Sequence, residues 1–280
     1  LHDFVEILLE QRRYDEAYEL LKPYGPEDIT PPLRFLLAKS LAGLKKRKEA
    51  LKVLREVVAK DPEFLEAWAE LAFLHELEKD YVAAEAIYER LLEKGETSQE
   101  LWLRLIDMNI KLNQPDKALA LVQRGPTDLS FYLSASSLFL DNHFYDQAEK
   151  LLQPLVNKEE PNPEAFFHLA LIAYEGRKDT PTALKHLEAI PDSNRFFPRA
   201  LRFRTHLLYD LGKMEEAKKL AAKARERFPD DKTFWTLEAG VYEDLGEYDQ
   251  ALAIMANATR RWTQDYDLVY RTGIILDKAK

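Results

Sequence analysis

Cysteine is absent from the 280-residue sequence. The chain therefore has no disulfide, no thiolate nucleophile and no cysteine-ligated zinc or iron–sulfur site. Glycine is scarce as well, with 9 residues against 14 prolines. No apolar run approaches the roughly 18 residues that a membrane-spanning helix needs, so the sequence encodes no transmembrane helix.

An excess of positive charge is also lacking. The 40 Lys and Arg residues are outnumbered by 49 Asp and Glu residues, which gives a net charge of −9. This balance argues against a broad surface for nucleic acid or an anionic membrane. The densest basic run, Lys45 to Lys48, is not interleaved with the stacking aromatics that single-strand binders use. We therefore expect no nucleic-acid partner, and we expect this run to be a solvated patch in a turn.

Catalytic signatures are missing too. The sequence has no G-x-S-x-G, no phosphate-binding G-x-x-x-x-G-K, no H-E-x-x-H and no D-x-D-x-D-G calcium loop. Its six histidines are scattered along the chain. We expect no catalytic residue, no cofactor and no metal site.

A repeated alanine pattern is what the sequence does contain. A small residue opens an apolar-periodic segment at intervals of mostly 33 or 34 residues. These residues are Ala17, Ala50, Ala84, Ala118, Ala148, Ala183, Ala217 and Ala251. Self-similarity at such a period is typical of solenoid proteins built from stacked repeats.

Tryptophan and proline accompany these alanines at constant distances. Trp68, Trp102 and Trp235 each precede a repeat alanine by sixteen residues, and Pro62 and Pro229 follow one by twelve. The pattern resembles the tetratricopeptide repeat, in which Trp, Leu, Ala, Phe and Pro recur across two antiparallel helices. The resemblance implies an all-α fold, an α-solenoid of antiparallel helix pairs in a right-handed superhelix. It also implies that three tryptophans and four alanines anchor the repeats: Trp68, Trp102, Trp235, Ala50, Ala84, Ala217 and Ala251.

The resemblance extends over essentially the whole chain. It predicts one solenoid over 1–280, with about eight repeats and a terminal helix, whose second helices open near 17, 50, 84, 118, 148, 183, 217 and 251. We expect Pro23, Pro126, Pro154 and Pro191 to cut or kink second helices early. Neither end resembles the polar cap of a solenoid, so we expect a fragment of a longer chain.

A partner groove is implied by the family, because the first helices of tetratricopeptide arrays line a concave face where peptides lie. The positions carried over from repeats six and seven and the terminal helix are Phe167, His168, Leu171, Tyr174, Arg199, Arg202, Phe203, His206, Tyr209, Tyr270 and Arg271. Arginine and tyrosine are enriched at binding hot spots, so a partner with an acidic or carboxylate end would suit this wall. Alternatively, Phe167 and Phe203 pack between helices and the arginines are solvated. The lysine and asparagine clamp of chaperone-tail binders is not present at matching positions.

Arg204 and Glu238 occupy matching slots one repeat apart, where the family usually has leucine. We interpret them as an inter-repeat ion pair that sets stacking geometry, in preference to a ligand role.

The function expected from these features is a non-enzymatic scaffold or adaptor that binds a partner protein segment in the groove. The alternative is the non-catalytic arm of a larger enzyme or of a bacterial secretion, export or envelope assembly. The irregular, proline-cut repeats resemble bacterial arrays, including lipid-anchored envelope proteins. The resemblance leaves the compartment open between the cell envelope or periplasm and the cytoplasm.

Overall fold

The fold of the protein is all-α, as the sequence predicts. The computed structural model describes residues 1–25 and 27–280, which form seventeen α-helices, one π-helical turn and no strand. The first helices of the pairs are α1 His2–Glu10, α3 Pro31–Gly43, α5 Leu65–Leu77, α7 Gln99–Lys111, α9 Leu129–Asp141, α11 Pro163–Leu171, α13 Phe197–Asp210 and α15 Lys232–Asp244. The second helices are α2 Tyr14–Leu21, α4 Arg47–Lys60, α6 Tyr81–Glu93, α8 Pro115–Arg124, α10 Tyr145–Val156, α12 Thr180–Glu188, α14 Met214–Arg227 and α16 Tyr248–Arg261, and α17 Tyr266–Lys278 comes last. None of the helices described here is both long enough and apolar enough to cross a membrane.

Two compact units divide the chain, Leu1–Gln147 and Ala148–Lys280. In the first unit, leucine and valine side chains of α1 to α5 form one buried cluster. In the second, Phe167 and Phe196 belong to a cluster on α11 to α13, and Met255 and Ile275 belong to another on α15 to α17. In these clusters the apolar faces pack against helices one or two positions away along the chain, as in repeat proteins. That 1–280 is one continuous solenoid stays a prediction.

The turn inside each helix pair has a constant backbone conformation. The residue five positions before every repeat alanine has a positive φ, between 56° and 74°. Only two of these residues are glycine, Gly212 and Gly246, for which the left-handed conformation carries no Cβ penalty. The others are Arg12, Lys45, Lys79, Asn113, His143 and Lys178. Each of the eight alanines that follow is fully buried. The turn therefore precedes a small buried side chain in the first turns of the second helix, where the two helices of the pair pack closely.

Proline ends three of the four second helices that we expected it to shorten. Helices α2, α8 and α12 end two or three residues before Pro23, Pro126 and Pro191. Pro154 is the exception, because α10 continues through it to Val156. Three second helices therefore end before their proline, whereas α10 continues through Pro154 although proline removes one helical hydrogen bond.

One repeat is longer by a residue, and a π-helical turn accommodates it. Ala183 follows Ala148 by one residue more than the usual spacing. The end of α11 continues as a π-helical turn over Ile172–Gly176, and such turns absorb a single insertion without breaking the helix. The turn carries Tyr174, one of the residues predicted to line the groove.

Candidate functional site

A cleft of about 330 Å³ lies between α13, α15 and α17 in the second unit. Arg202, His206 and Tyr209 reach it from α13 because their spacing places them on one helical face. Three elements thus contribute, and the full lining is Arg202, Thr205, His206, Tyr209, Thr233, Thr236, Leu237, Gly240, Val241, Asp244 and Arg271. We call this cleft the arginine cleft.

Gly240 allows Arg271 to lie against α15. A Cβ atom at Gly240 would come within 2.9 Å of Nη2 of Arg271. The Nε atom of Arg271 is buried and has no hydrogen-bond partner among the described residues. The Nε–H donor of this guanidinium is therefore unused among the described residues, and the group lies close against Gly240.

Within residues 1–25 and 27–280, Arg202 and Arg271, like Arg199 and Arg260, have no carboxylate partner, whereas most other arginines of the second unit do. Arg227 pairs with Asp192 at 3.0 Å, and Arg195 pairs with Glu164 at 3.2 Å. Among the residues that the structure describes, neither Arg202 nor Arg271 forms an ion pair. Two guanidinium groups without an ion-pair partner among the described residues therefore line one cleft, together with one carboxylate, that of Asp244.

An aromatic cluster adjoins the cleft on the side of α11. The Phe203 ring lies 6.2 Å from that of Phe167 and 5.5 Å from that of Tyr174. Arg199 stacks over Phe167 at 4.8 Å. Phe167 is only 6% exposed, so this ring packs between helices, as the alternative interpretation held. Phe203 and Tyr174 are half-buried.

Tyr174 connects this cluster to the cleft through a polar contact. Its hydroxyl donates a hydrogen bond to Asp210 at 2.5 Å and lies 3.4 Å from Nε2 of His206. The hydrogen bond to Asp210 raises the pKa of Tyr174. Because His206 also lines the arginine cleft, the π-helical turn places Tyr174 at the rim of the site.

The remaining predicted groove residues do not line the arginine cleft. His168 and Leu171 are half-buried on α11, and the ring of His168 lies 6.4 Å from that of Phe167. Tyr270 is 74% exposed and does not line the cleft, whereas its neighbour Arg271 does. The structure thus brings together Arg202, His206, Tyr209 and Arg271 from the predicted set.

The predicted ion pair between Arg204 and Glu238 is wrong. Arg204 pairs with Glu188 of α12 at 3.0 Å. Glu238 is 3% exposed and pairs with Nε of Arg225 on α14. Helix α13 packs on α12, and α15 packs on α14. Arg204 and Glu238 therefore each pair with a residue of the second helix that precedes their own helix.

The tryptophans and alanines carried over as repeat anchors have different environments. Ala50, Ala84, Ala217 and Ala251 are fully buried, whereas Trp68, Trp102 and Trp235 are half-buried. The indole N–H of Trp68 donates to the carbonyl of Pro62 at 3.0 Å, and that of Trp235 donates to Pro229 at 2.9 Å. Each of these two rings therefore also ties its helix to the preceding turn.

A cluster of possible metal ligands at α1 is absent from the sequence prediction. One ligand atom each from His2, Asp3 and Glu6 lies within 4.8 Å of the others. The four-residue spacing of His2 and Glu6 is the signal that could have indicated it. His2 lies 3.5 Å from Asp3 and 3.4 Å from Glu6, and ordinary ion pairing at the first turn of a helix accounts for the group.

Comparison with known proteins supplies the family context. The family model described as "Tetratricopeptide repeat" matches residues 26–271. The human protein O-mannosyl-transferase TMTC3 is 27% identical over 183 residues, which is 62% of this chain and 19% of that protein. The chain thus spans 19% of the length of this relative.

Solved structures with a similar arrangement of helices include Naa15/Naa10 bound to HypK-THB and the protein YrrB. The first has a TM-score of 0.48 at 16% identity and covers 95% of this chain and 42% of that one. YrrB, described as a tetratricopeptide protein with an unusual peptide-binding site, has a TM-score of 0.41 at 19% identity. The match covers 56% of this chain and 82% of YrrB.

Proposed function

Because the chain belongs to the tetratricopeptide-repeat family, we propose that it is a non-enzymatic scaffold that binds a segment of a partner protein at the arginine cleft. The repeats support a protein-interaction role. The partner chemistry comes from the cleft itself.

The observation that carries this proposal is the pair of guanidinium groups on Arg202 and Arg271, which have no carboxylate partner in the part of the chain that the structure describes and which line one cleft. A guanidinium offers parallel N–H donors that match the two oxygens of a carboxylate. The hydroxyl of Tyr209 lines the same cleft and supplies a further donor, whereas the hydroxyls of Thr233 and Thr236 already donate to Asp231 and to the carbonyl of Thr233, respectively. The segment that fits is one whose end carries a free or side-chain carboxylate, with an apolar residue against Leu237.

A labelled peptide tests the assignment. The probe is fluorescein-Gly-Ser-Leu-Phe-Asp-Leu with a free carboxyl end, and its binding is followed by fluorescence anisotropy. We expect the Arg202→Gln, Arg271→Gln double variant to bind it at least about tenfold more weakly, because each charged hydrogen bond contributes roughly 1.5–3 kcal/mol. A peptide in which Asp is replaced by Asn and the carboxyl end is amidated should bind the wild type as weakly as the unmodified peptide binds the double variant.

Arg260→Gln is the matched control. Arg260 is exposed on α16 and lies outside the cleft, so its loss removes one positive charge without touching the site, and it is compared with each single variant, Arg202→Gln and Arg271→Gln. If the double variant and the control bind the probe alike, or if the amidated Asn peptide binds as well as the acid, the cleft is not the carboxylate site.

A second candidate function is the non-catalytic arm of a larger enzyme or envelope assembly. It is favoured by the similarity to a protein named as a transferase, of which this chain spans 19%. The complete open reading frame tests it. A catalytic domain encoded in the same reading frame supports the arm, whereas further repeats alone support the scaffold.

A further inference from the structure

Two large clefts adjoin each other in the first unit, with volumes of about 690 and 700 Å³. The first lies among α1, α3 and α5, and the second among α3, α5 and α7. They share five lining residues, Phe35, Lys39, Glu66, Glu70 and Phe73. We call the two clefts together the acidic groove, since they form one depression that crosses four first helices.

Helical spacing explains why these side chains meet. Phe35 and Lys39 are four residues apart on α3, and Glu66, Glu70 and Phe73 follow one face of α5. The two carboxylates therefore stand one turn apart on α5, with Phe73 on the same helix and Phe35 on α3.

The two arginines that line the groove are already engaged in ion pairs, whereas Lys39 forms none among the described residues. Arg104 pairs with Glu76 at 3.0 Å and with Glu100 at 2.9 Å. Arg47 pairs with Glu78 at 3.3 Å. These arginines therefore neutralise acids other than the two on the groove-facing side of α5.

Glu66 and Glu70 have no hydrogen-bond or ion-pair partner among the described residues. Lys39 is the basic group that acts on Glu70 electrostatically, and its ammonium stacks over the Phe35 ring at 5.6 Å. Burial raises the pKa of Glu70, with Lys39 opposing this effect. A half-buried carboxylate without a hydrogen-bonded cation is costly to the folded protein, and a bound cation would remove that cost.

The apolar surface of the groove lies next to these carboxylates. Phe35 and Phe73 are half-buried, and the Phe35 ring packs against that of Phe64 at 5.1 Å. An aromatic face beside a carboxylate suits a side chain with an apolar stem and a cationic head.

We propose that the acidic groove is a second binding site, for an extended protein segment that carries a lysine or arginine side chain next to apolar side chains. The cation binds Glu66 and Glu70, and the apolar neighbours pack on Phe35 and Phe73. This inference rests on the proposed scaffold function, but it does not depend on the arginine cleft, because the two sites lie in different units and prefer ligands of opposite charge.

The test uses the peptide fluorescein-Gly-Leu-Lys-Phe-Arg-Leu-Gly-amide and the whole 280-residue chain. We expect binding by the wild type, and at least about tenfold weaker binding by the Glu66→Gln, Glu70→Gln double variant, because each substitution removes a charged hydrogen bond to the peptide. Glu93→Gln is the matched control, because Glu93 is exposed on the second helix α6 and outside the groove. Circular dichroism verifies that each variant keeps its helices.

Peptide variants separate this site from general attraction to an acidic protein. A peptide with Ser in place of its Leu and Phe residues keeps the charge, and we expect it to bind at least about fivefold more weakly if the phenylalanines take part. The proposal is overturned if the wild type does not bind the basic peptide, if Glu93→Gln weakens binding as much as the double variant, or if the serine peptide binds equally well. A peptide with Glu in place of Lys and Arg that binds in the same groove also overturns it.

The two proposals fail independently. Loss of basic-peptide binding in the Glu66→Gln, Glu70→Gln variant supports the acidic groove whatever happens at the arginine cleft. Binding of the carboxylate peptide that depends on Arg202 and Arg271 supports the cleft even if the basic peptide never binds.

Discussion

The ion pair between Arg225 and Glu238 provides a quantitative test of the packing between α14 and α15. Glu238 is 3% exposed, and the Arg225 guanidinium is its hydrogen-bond partner. Replacing Arg225 by Met leaves a buried carboxylate without a counter-charge. Such a loss costs roughly 3–5 kcal/mol when both partners are fully buried. The Arg225 side chain is 27% exposed, so water reaches part of the gap, and we expect a loss of about 2–3 kcal/mol.

The compensating variant is Glu238→Leu, since leucine is the usual family residue at this slot. Replacing both members of a buried pair by apolar side chains is often neutral or stabilising. We therefore expect the Arg225→Met, Glu238→Leu double variant to recover most of the stability lost in Arg225→Met. The control is Arg227→Met on the same helix. Arg227 forms an exposed pair with Asp192, and its loss should cost less than about 1 kcal/mol.

Urea unfolding followed by circular dichroism measures these differences, and hydrogen exchange of the peptide 232–244 localises them to α15. The reasoning is refuted if Arg225→Met destabilises the protein no more than Arg227→Met does. It is refuted as well if the double variant is as unstable as the single one.

Three further predictions concern turns and titrating groups. Lys79→Gly should raise the free energy of unfolding by roughly 0.5–1 kcal/mol, because Lys79 has φ 61° and glycine adopts this conformation without a Cβ penalty. Gly212→Ala should lower the free energy of unfolding by about 1 kcal/mol for the same reason. Chemical denaturation that shows the opposite signs contradicts the turn argument. Burial raises the pKa of Glu70, so the wild type loses stability relative to Glu70→Gln as the pH rises above about 4.3, and the melting temperatures of the two should differ at pH 7 and converge near pH 4. Burial, reinforced by Glu76, raises the pKa of Tyr88, so the wild type should lose stability above about pH 10, where the unfolded chain ionises. Tyr88→Phe should lack this loss and should cost about 1 kcal/mol at pH 7 through the missing hydrogen bond to Glu76; equal alkaline unfolding of both proteins would contradict it.

The local structure of this protein could be predicted from sequence because its signals are local. The alanine period predicts where the second helices lie, and the eight alanines are fully buried in the structure. Proline predicts the ends of α2, α8 and α12. Pro154 escapes the rule because the chain can continue a helix past a proline when the surrounding packing offsets the lost hydrogen bond.

The candidate sites were predicted only in part. Family positions identified Arg202, His206, Tyr209 and Arg271, and the structure places these four around one cleft. The same positions included Phe167, which is buried, and Tyr270, which is exposed away from the cleft. Helical periodicity indicates which face of a helix a residue occupies, but not which neighbouring helix covers that face.

The sequence by itself determined the helix-pair architecture, the small residues at the crossings and the absence of thiol chemistry, because each depends on residue type and spacing along one chain. The tertiary structure decided which charges meet. Arg204 and Glu238 match in sequence, yet they pair with Glu188 and Arg225. Glu66 and Glu70, in contrast, line a groove between helices without a hydrogen-bonded cation among the described residues. Side chains reach several ångströms from the backbone and choose among neighbours on adjacent helices, so their partners depend on the packing of those helices and not on the repeat period.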